Sequence, residues 1–169
     1  MKKLVITMVL LFCLLFTNPV WGDSPQPYVY KGDVLWEKSN LVNQFFIQAS
    51  VSINGSSPIK SIIDTGASMT AFPYDYLKNL GYHPLKGPVL VPQASGKTVS
   101  YIYQIPYPEI IDANGAHPLG TGSIDVYGIV GAQHALIGAN ILLQDHLNLI
   151  DQYHWTLTIN SASSTTPQN

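Results

Sequence analysis

The sequence predicts an all-β domain with one or two short helices. Charged residues make up only 11% of the chain and hydrophobic residues 46%, and Val, Ile, Thr and Tyr recur throughout. The clearest apolar run, from Phe45 to Ile53, alternates with polar residues at the period of a half-buried strand. It ends at Asn54-Gly55, the favoured pair for a tight hairpin turn.

The first 22 residues stand apart from that domain. Met1-Lys2-Lys3 is followed by an apolar run from Leu4 to Phe16 and then by Val20 and Gly22, the pattern of a secretory signal peptide. The run is too short to span a bilayer, so no permanent membrane anchor is expected. The one cysteine, Cys13, lies inside it, behind neighbours too bulky for a lipoprotein cleavage site. Cleavage after Gly22 would leave residues 23–169 with no thiol, which excludes disulfides, a thiol nucleophile and a cysteine metal site. Export without disulfides points to a bacterial periplasmic or secreted protein. Beyond residue 22 there are six lysines, no arginine and ten acidic residues. A nucleic-acid surface needs clustered basic residues, so that partner class is excluded.

Residues 23–43, with Pro25, Pro27 and Gly32, read as an extended N-terminal arm whose Tyr28, Tyr30, Leu35 and Trp36 suggest packing onto the domain. The domain itself is expected over 44–159. After the first strand and its turn, Pro58 to Ile63 returns as a second strand and delivers Asp64. Met69 to Phe72 reads as a further short strand. Pro73 at a helix start, Asp75 in the first turn and Gly81 at the end frame a short helix. Val89 to Ile102 reads as a hairpin with a small, flexible tip at Ala94, Ser95 and Gly96. The Pro- and Gly-rich stretch 106–123 reads as a loop excursion. Ile124 to Val130, Leu147 to Ile150 and Trp155 to Ile159 are the remaining long strand candidates. Ala135 to Leu142 is an apolar strand that meets Gly138, with a helical turn beyond it. The Ser/Thr-rich tail 160–169 is expected to fray.

The stretch that carries chemistry is Ile62-Ile63-Asp64-Thr65-Gly66-Ala67-Ser68. Two β-branched residues push a lone carboxylate out of a buried strand, and Gly66 lets the backbone come close. Alone, the triplet is equally an ordinary strand-to-turn junction. Other catalytic classes lack support. His83, His117, His134, His146 and His154 show no metal-ligand spacing, so no metal or other cofactor is expected. Gly96-Lys97-Thr98 lacks the earlier glycine of a phosphate loop, since position 91 is valine. No Gly-x-Ser-x-Gly elbow occurs. Tyr101 and Tyr103 read as core or rim packing, with a place in a peptide groove as the alternative.

Phe46-Ile47 through the Asn54-Gly55 turn, Ile62 to Ser68, and Ala135-Leu136-Ile137-Gly138-Ala139-Asn140-Ile141-Leu142 together resemble retropepsin-like aspartic proteases. The order of the two glycine-bearing signatures, with a hairpin between them, is more specific than Asp-Thr-Gly itself. The resemblance implies a small closed β-barrel whose active site forms between two copies. It makes Asp64 the catalytic carboxylate. Thr65 would tie the copies together beneath the acids, Gly66 would supply backbone contacts to the substrate, and Ala67 and Ser68 would support the site. Leu136, Ile137, Gly138 and Asn140 would support it from below. Ala94, Ser95 and Gly96 would form the tip of a flap over a peptide or protein substrate.

Peptide hydrolysis needs one group to take a proton from water and another to give one to the carbonyl oxygen. Two adjacent carboxylates sharing one proton divide those roles. Asp112 and Asp125 lack the flanking pattern and read as loop and strand-surface acids. The second carboxylate is therefore expected from another subunit, most simply in a homodimer. Pepsin-like enzymes usually carry serine where this chain has Ala67. Losing that donor disfavours the ionised pair, which predicts activity in mildly acidic rather than strongly acidic conditions. Two readings remain: an aspartic endopeptidase, and a retropepsin-like module that binds or assembles with weak or no proteolysis. The intact Asp64-Thr65-Gly66 favours the first.

Overall fold

The computed structural model describes residues 28–38, 43–93, 96–142, 146–149 and 154–159. Residues 1–22, read as a signal peptide and holding Cys13, lie outside them, as do Ala94 and Ser95, read as a flap tip, and the tail 160–169. The described chain is built from twelve strands and two short helices. The strands are β1 (Tyr28–Lys38), β2 (Asn43–Ser52), β3 (Ile59–Ile63), β4 (Ala71–Pro73), β5 (Lys86–Gln93) and β6 (Gly96–Pro106). They continue with β7 (Glu109–Asp112), β8 (Gly115–Pro118), β9 (Ser123–Ile129), β10 (Ala135–Ile137), β11 (His146–Leu149) and β12 (His154–Ile159). The helices are α1 (Tyr74–Asn79) and α2 (Ala139–Leu142).

Strand alternation decides the faces. In β2, Ala49 and Val51 are buried, and Ile53 beyond the strand end is only 2% exposed. Asn54 and Gly55 follow with φ of 52° and 72°, the left-handed pair that a type I′ turn requires. Phe72, Leu77, Tyr103, Ile105, Val126 and Ile137 meet in one buried cluster, so the core gathers residues from every part of the domain. α1 contributes Leu77 to it, and the Leu80 N–H donates to the Tyr76 carbonyl to close the helix.

The hydrogen-bonded path runs β11-β12-β1-β2-β3-β10-β4-β9-β6-β5, with the β7–β8 hairpin attached through β2. The fold is mostly β, as expected, but the barrel does not close. β5 and β11 stand at opposite ends of the path, and no pairing joins them among the described residues. Pro88 and Pro92 remove two ladder donors from β5, and its register with β6 shifts between Lys86 and Val89. A strand so built ends a sheet rather than bridging it.

Two stretches carry more structure than their composition suggested. The stretch read as an arm supplies β1, whose first half pairs with β12 and whose second half pairs with β2. Gly32 faces Trp155 across that pairing, and a Cβ there would lie 2.5 Å from the indole. The supposed loop excursion 106–123 is instead largely the β7–β8 hairpin, paired Asp112 to Gly115 at its turn. Gly115, at φ 128°, takes the backbone angle that closes it. β7 lies on β2 and buries Ile110 completely, which explains why a Pro- and Gly-rich segment is ordered. Among the described residues, no helix is long and apolar enough to cross a membrane.

Candidate active site

β3 and β10 run parallel, with Ile63 opposite Ile137. The pairing continues one step past the strand end, where the Asp64 N–H donates to the Ile137 carbonyl at 2.9 Å. The chain then turns sharply. The Ala67 N–H returns to the Asp64 carbonyl at 3.2 Å, and the Gly66 N–H donates to the Asp64 carboxylate at 2.9 Å. A backbone donor aimed at Oδ1 fixes the carboxylate's orientation without using a second side chain. Asp64 is half-buried, while Thr65, Gly66 and Ser68 are exposed.

Beneath the turn lies the segment from Ile137 to Leu142. Gly138 is buried against the backbone of Met69, and a Cβ on it would lie 2.6 Å from the Met69 carbonyl carbon. Close approach, rather than an unusual backbone angle, demands glycine here. The Gly138 N–H donates to the Thr70 hydroxyl at 3.0 Å, and the Ala139 N–H to the Ala67 carbonyl at 2.7 Å. Asn140 Oδ1 accepts both the Thr70 N–H at 2.7 Å and the Thr70 hydroxyl at 2.9 Å. Its amide nitrogen donates to the Asp125 carbonyl at 3.2 Å. Thr70 also accepts through its own carbonyl from the Tyr127 N–H at 3.0 Å. Every bond made by this fully buried threonine serves the junction of β3, β4, β9 and β10.

An open cleft of about 730 Å³ begins at Asp64. It is lined by Asp64, Gly66, Ala67, Ser68 and Met69 of the turn after β3, and by Ala71 and Leu136. Val91, Pro92 and Gln93 of β5 and Tyr127 and Ile129 of β9 complete the lining. Asp64 is the sole carboxylate among these lining residues. Among the described residues no group of three His, Cys, Asp or Glu side chains is placed to hold a metal ion.

Asp64, Gly66, Ala67, Ser68 and Leu136 therefore meet at one cleft, with Ile137, Gly138 and Asn140 behind it. Thr65 is on the exposed side of the turn, and Gly96 stands at the start of β6 beside the tip. Asp112 and Asp125 do not line the cleft. Sequence reasoning missed Thr70, Met69, Val91, Tyr127 and Ile129. Tyr101 and Tyr103 read as core or rim packing, with a place in a peptide groove as the alternative, and neither lines the cleft. Tyr103 is 1% exposed in the core, and Tyr127 takes the place at the wall.

The aspartyl protease family profile matches residues 49–115, the span from β2 to β8 that includes Asp64. A retropepsin-like aspartic protease from Rickettsia conorii shares the fold, with a TM-score of 0.52 and 16% identity. The alignment covers 76% of this chain and 99% of that one. EIAV protease complexed with the inhibitor HBY-793 aligns at a TM-score of 0.41 and 18% identity, over 63% of this chain and 92% of that one. The retroviral protease-like domain of Ddi1 from Leishmania major aligns at 0.44 and 19% identity, over 63% and 81%. No curated protein is matched by the sequence. The sequence profile carries the likeness to aspartyl proteases, and the fold carries the likeness to a retropepsin-like one.

Proposed function

We propose that this chain of retropepsin-like fold is an aspartic endopeptidase that works as a homodimer. The observation that carries the reading is Asp64, held by the Gly66 N–H in an open cleft with no second carboxylate among the described lining residues. One subunit offers one acid, and the chemistry needs two. A twofold pairing that brings the exposed Thr65-Gly66 turns together would place two Asp64 side chains side by side.

In that pair one carboxylate is ionised and the other protonated. The ionised group takes a proton from water as the water oxygen bonds to the peptide carbonyl carbon. The protonated group gives its proton to the carbonyl oxygen. The tetrahedral diol then collapses: its hydroxyl proton returns to a carboxylate, the amide nitrogen gains a proton, and the carbon–nitrogen bond breaks. The β5–β6 hairpin would close over the peptide and exclude water, since Val91, Pro92 and Gln93 of β5 line the same cleft as Asp64. The amino-terminal pattern supports delivery of the enzyme to the periplasm or beyond. An N-terminus at Asp23 on the protein recovered from its host would test that.

The test is cleavage of a peptide library by the purified protein beside Asp64→Ala, from acid to neutral pH. Cleavage by the unaltered protein alone supports the endopeptidase. Equal cleavage by both, or by neither, supports a binding or assembly module instead.

A further inference from the structure

Past residue 22 the chain contains a single sulfur atom, that of Met69, because Met1, Met8 and Cys13 all lie in the amino-terminal segment. Met69 is half-buried and lines the cleft together with Asp64, Ala67 and Leu136. A lone thioether at an open cleft is the one group in the domain that a mild two-electron oxidant attacks readily. We propose that Met69 is an oxidation site through which a peroxide alters this cleft.

The step is balanced within the two reactants. A lone pair of the thioether sulfur attacks one peroxide oxygen and the O–O bond breaks. The sulfur keeps that oxygen as a sulfoxide, and the departing oxygen takes the proton and leaves as water. Sulfur is oxidised by two electrons and the peroxide is reduced by two. The product turns a flexible apolar side chain into a polar one with a strong acceptor. Of the residues that line the cleft with it, Ala67, Ala71, Val91, Ile129 and Leu136 have no side-chain donor for that oxygen, while Ser68, Gln93 and Tyr127 do. The new oxygen takes its hydrogen bond from entering water or from one of those three donors, and either way the apolar surface that Met69 offers a bound peptide is lost. The backbone of Met69 also packs on Gly138 beneath the catalytic turn, so displacement at this position reaches the support of Asp64.

The effect on peptide hydrolysis rests on the endopeptidase reading, whereas the modification itself does not. The purified protein is treated with graded hydrogen peroxide and digested, and mass spectrometry locates the added oxygen. Binding of an apolar naphthalenesulfonate dye and cleavage of a library peptide are followed in parallel. Met69 is expected to gain one oxygen before any Tyr or Trp changes. Cleavage should then fall by at least about tenfold in step with sulfoxide formation. Methionine sulfoxide reductases should restore it. Met69→Leu is compared with its own untreated rate and should not respond to peroxide. Full sulfoxide at Met69 with both dye binding and cleavage unchanged would overturn the inference, as would a Met69 that resists peroxide. If the untreated protein cuts nothing, the endopeptidase reading fails, and dye binding alone decides the inference.

Discussion

Asn140 Oδ1 accepts both hydrogen bonds that Thr70 can donate, one from its backbone and one from its hydroxyl, at 2.7 and 2.9 Å. That leaves the Thr70 hydroxyl oxygen oriented to accept from the Gly138 N–H at 3.0 Å. The turn that bears Asp64 thus rests on a chain of bonds running from Asp125 through Asn140 and Thr70 to Gly138. Thr70→Val keeps the shape and removes the hydroxyl, leaving the buried Gly138 N–H without its acceptor. The loss expected is about 1–3 kcal/mol, read as a lower urea midpoint. Peptide cleavage should fall with it even where the protein is fully folded, because the turn bearing Asp64 loses its support.

Gly138→Ala tests the same junction by volume. The new methyl would lie 2.6 and 2.7 Å from the carbonyl carbon and oxygen of Met69. Both are backbone atoms, so no side chain can rotate away. Destabilisation of about 1–3 kcal/mol or more is expected from overpacking, with the thermal midpoint as the measurement. Gly66→Ala is the contrast. Its methyl would meet the Asp64 carboxylate at 3.2 Å, so activity should suffer more than stability.

Asp64 was legible because a carboxylate between a β-branched strand and a glycine leaves a local mark. Gly138 was legible for a similar reason, with an apolar strand meeting a glycine a fixed distance downstream. Thr70 left no such mark. A threonine two residues after Ser68 looks like any strand residue until β4, β9 and β10 converge on it. The pairing of Tyr28 with Ile159 joins the two ends of the described chain, and no local pattern encodes a contact of that span. The β7–β8 hairpin was obscured by its own flanking prolines and glycines, and only the burial of Ile110 against β2 shows why it is ordered. The open sheet was hidden for a related reason. Barrel closure depends on whether the two terminal strands meet, which neither strand's residues announce.

Asp112 binds the first strand to that hairpin. It accepts from the Tyr28 hydroxyl and from the Asn114 N–H at 2.7 Å, and His117 Nε2 lies 3.3 Å away. The His117 ring stacks on Tyr28 with centroids 3.3 Å apart. The Tyr28 hydrogen bond, chiefly, holds the Asp112 carboxyl below its ordinary range, with Asn114 and His117 adding to it against the opposing effect of desolvation. A depressed folded value means the contribution is complete above the ordinary carboxylate range and is lost as pH falls through the lowered value. Urea midpoints of the unaltered protein and Asp112→Asn should therefore differ most near neutral pH and converge in strong acid. Tyr28→Phe should shrink the difference at neutral pH. A gap that persists unchanged in strong acid would show that the carboxylate's charge does not carry the contact.

The homodimer reading makes a quantitative demand on mixtures. Asp64→Asn keeps a carbonyl oxygen for the Gly66 N–H, so the turn should fold as before while the subunit loses its acid. If activity needs one Asp64 from each of two subunits, every mixed pair is dead. Co-refolding equal amounts of the two forms should then leave about a quarter of the activity of an equal total of unaltered protein, as random pairing dictates. Subunits that work alone would leave about half. The measurement is the initial rate on one cleavable peptide across a series of mixing ratios. A curve that follows the square of the unaltered fraction supports a shared site, and a straight line assigns all the chemistry to the single Asp64 of one chain.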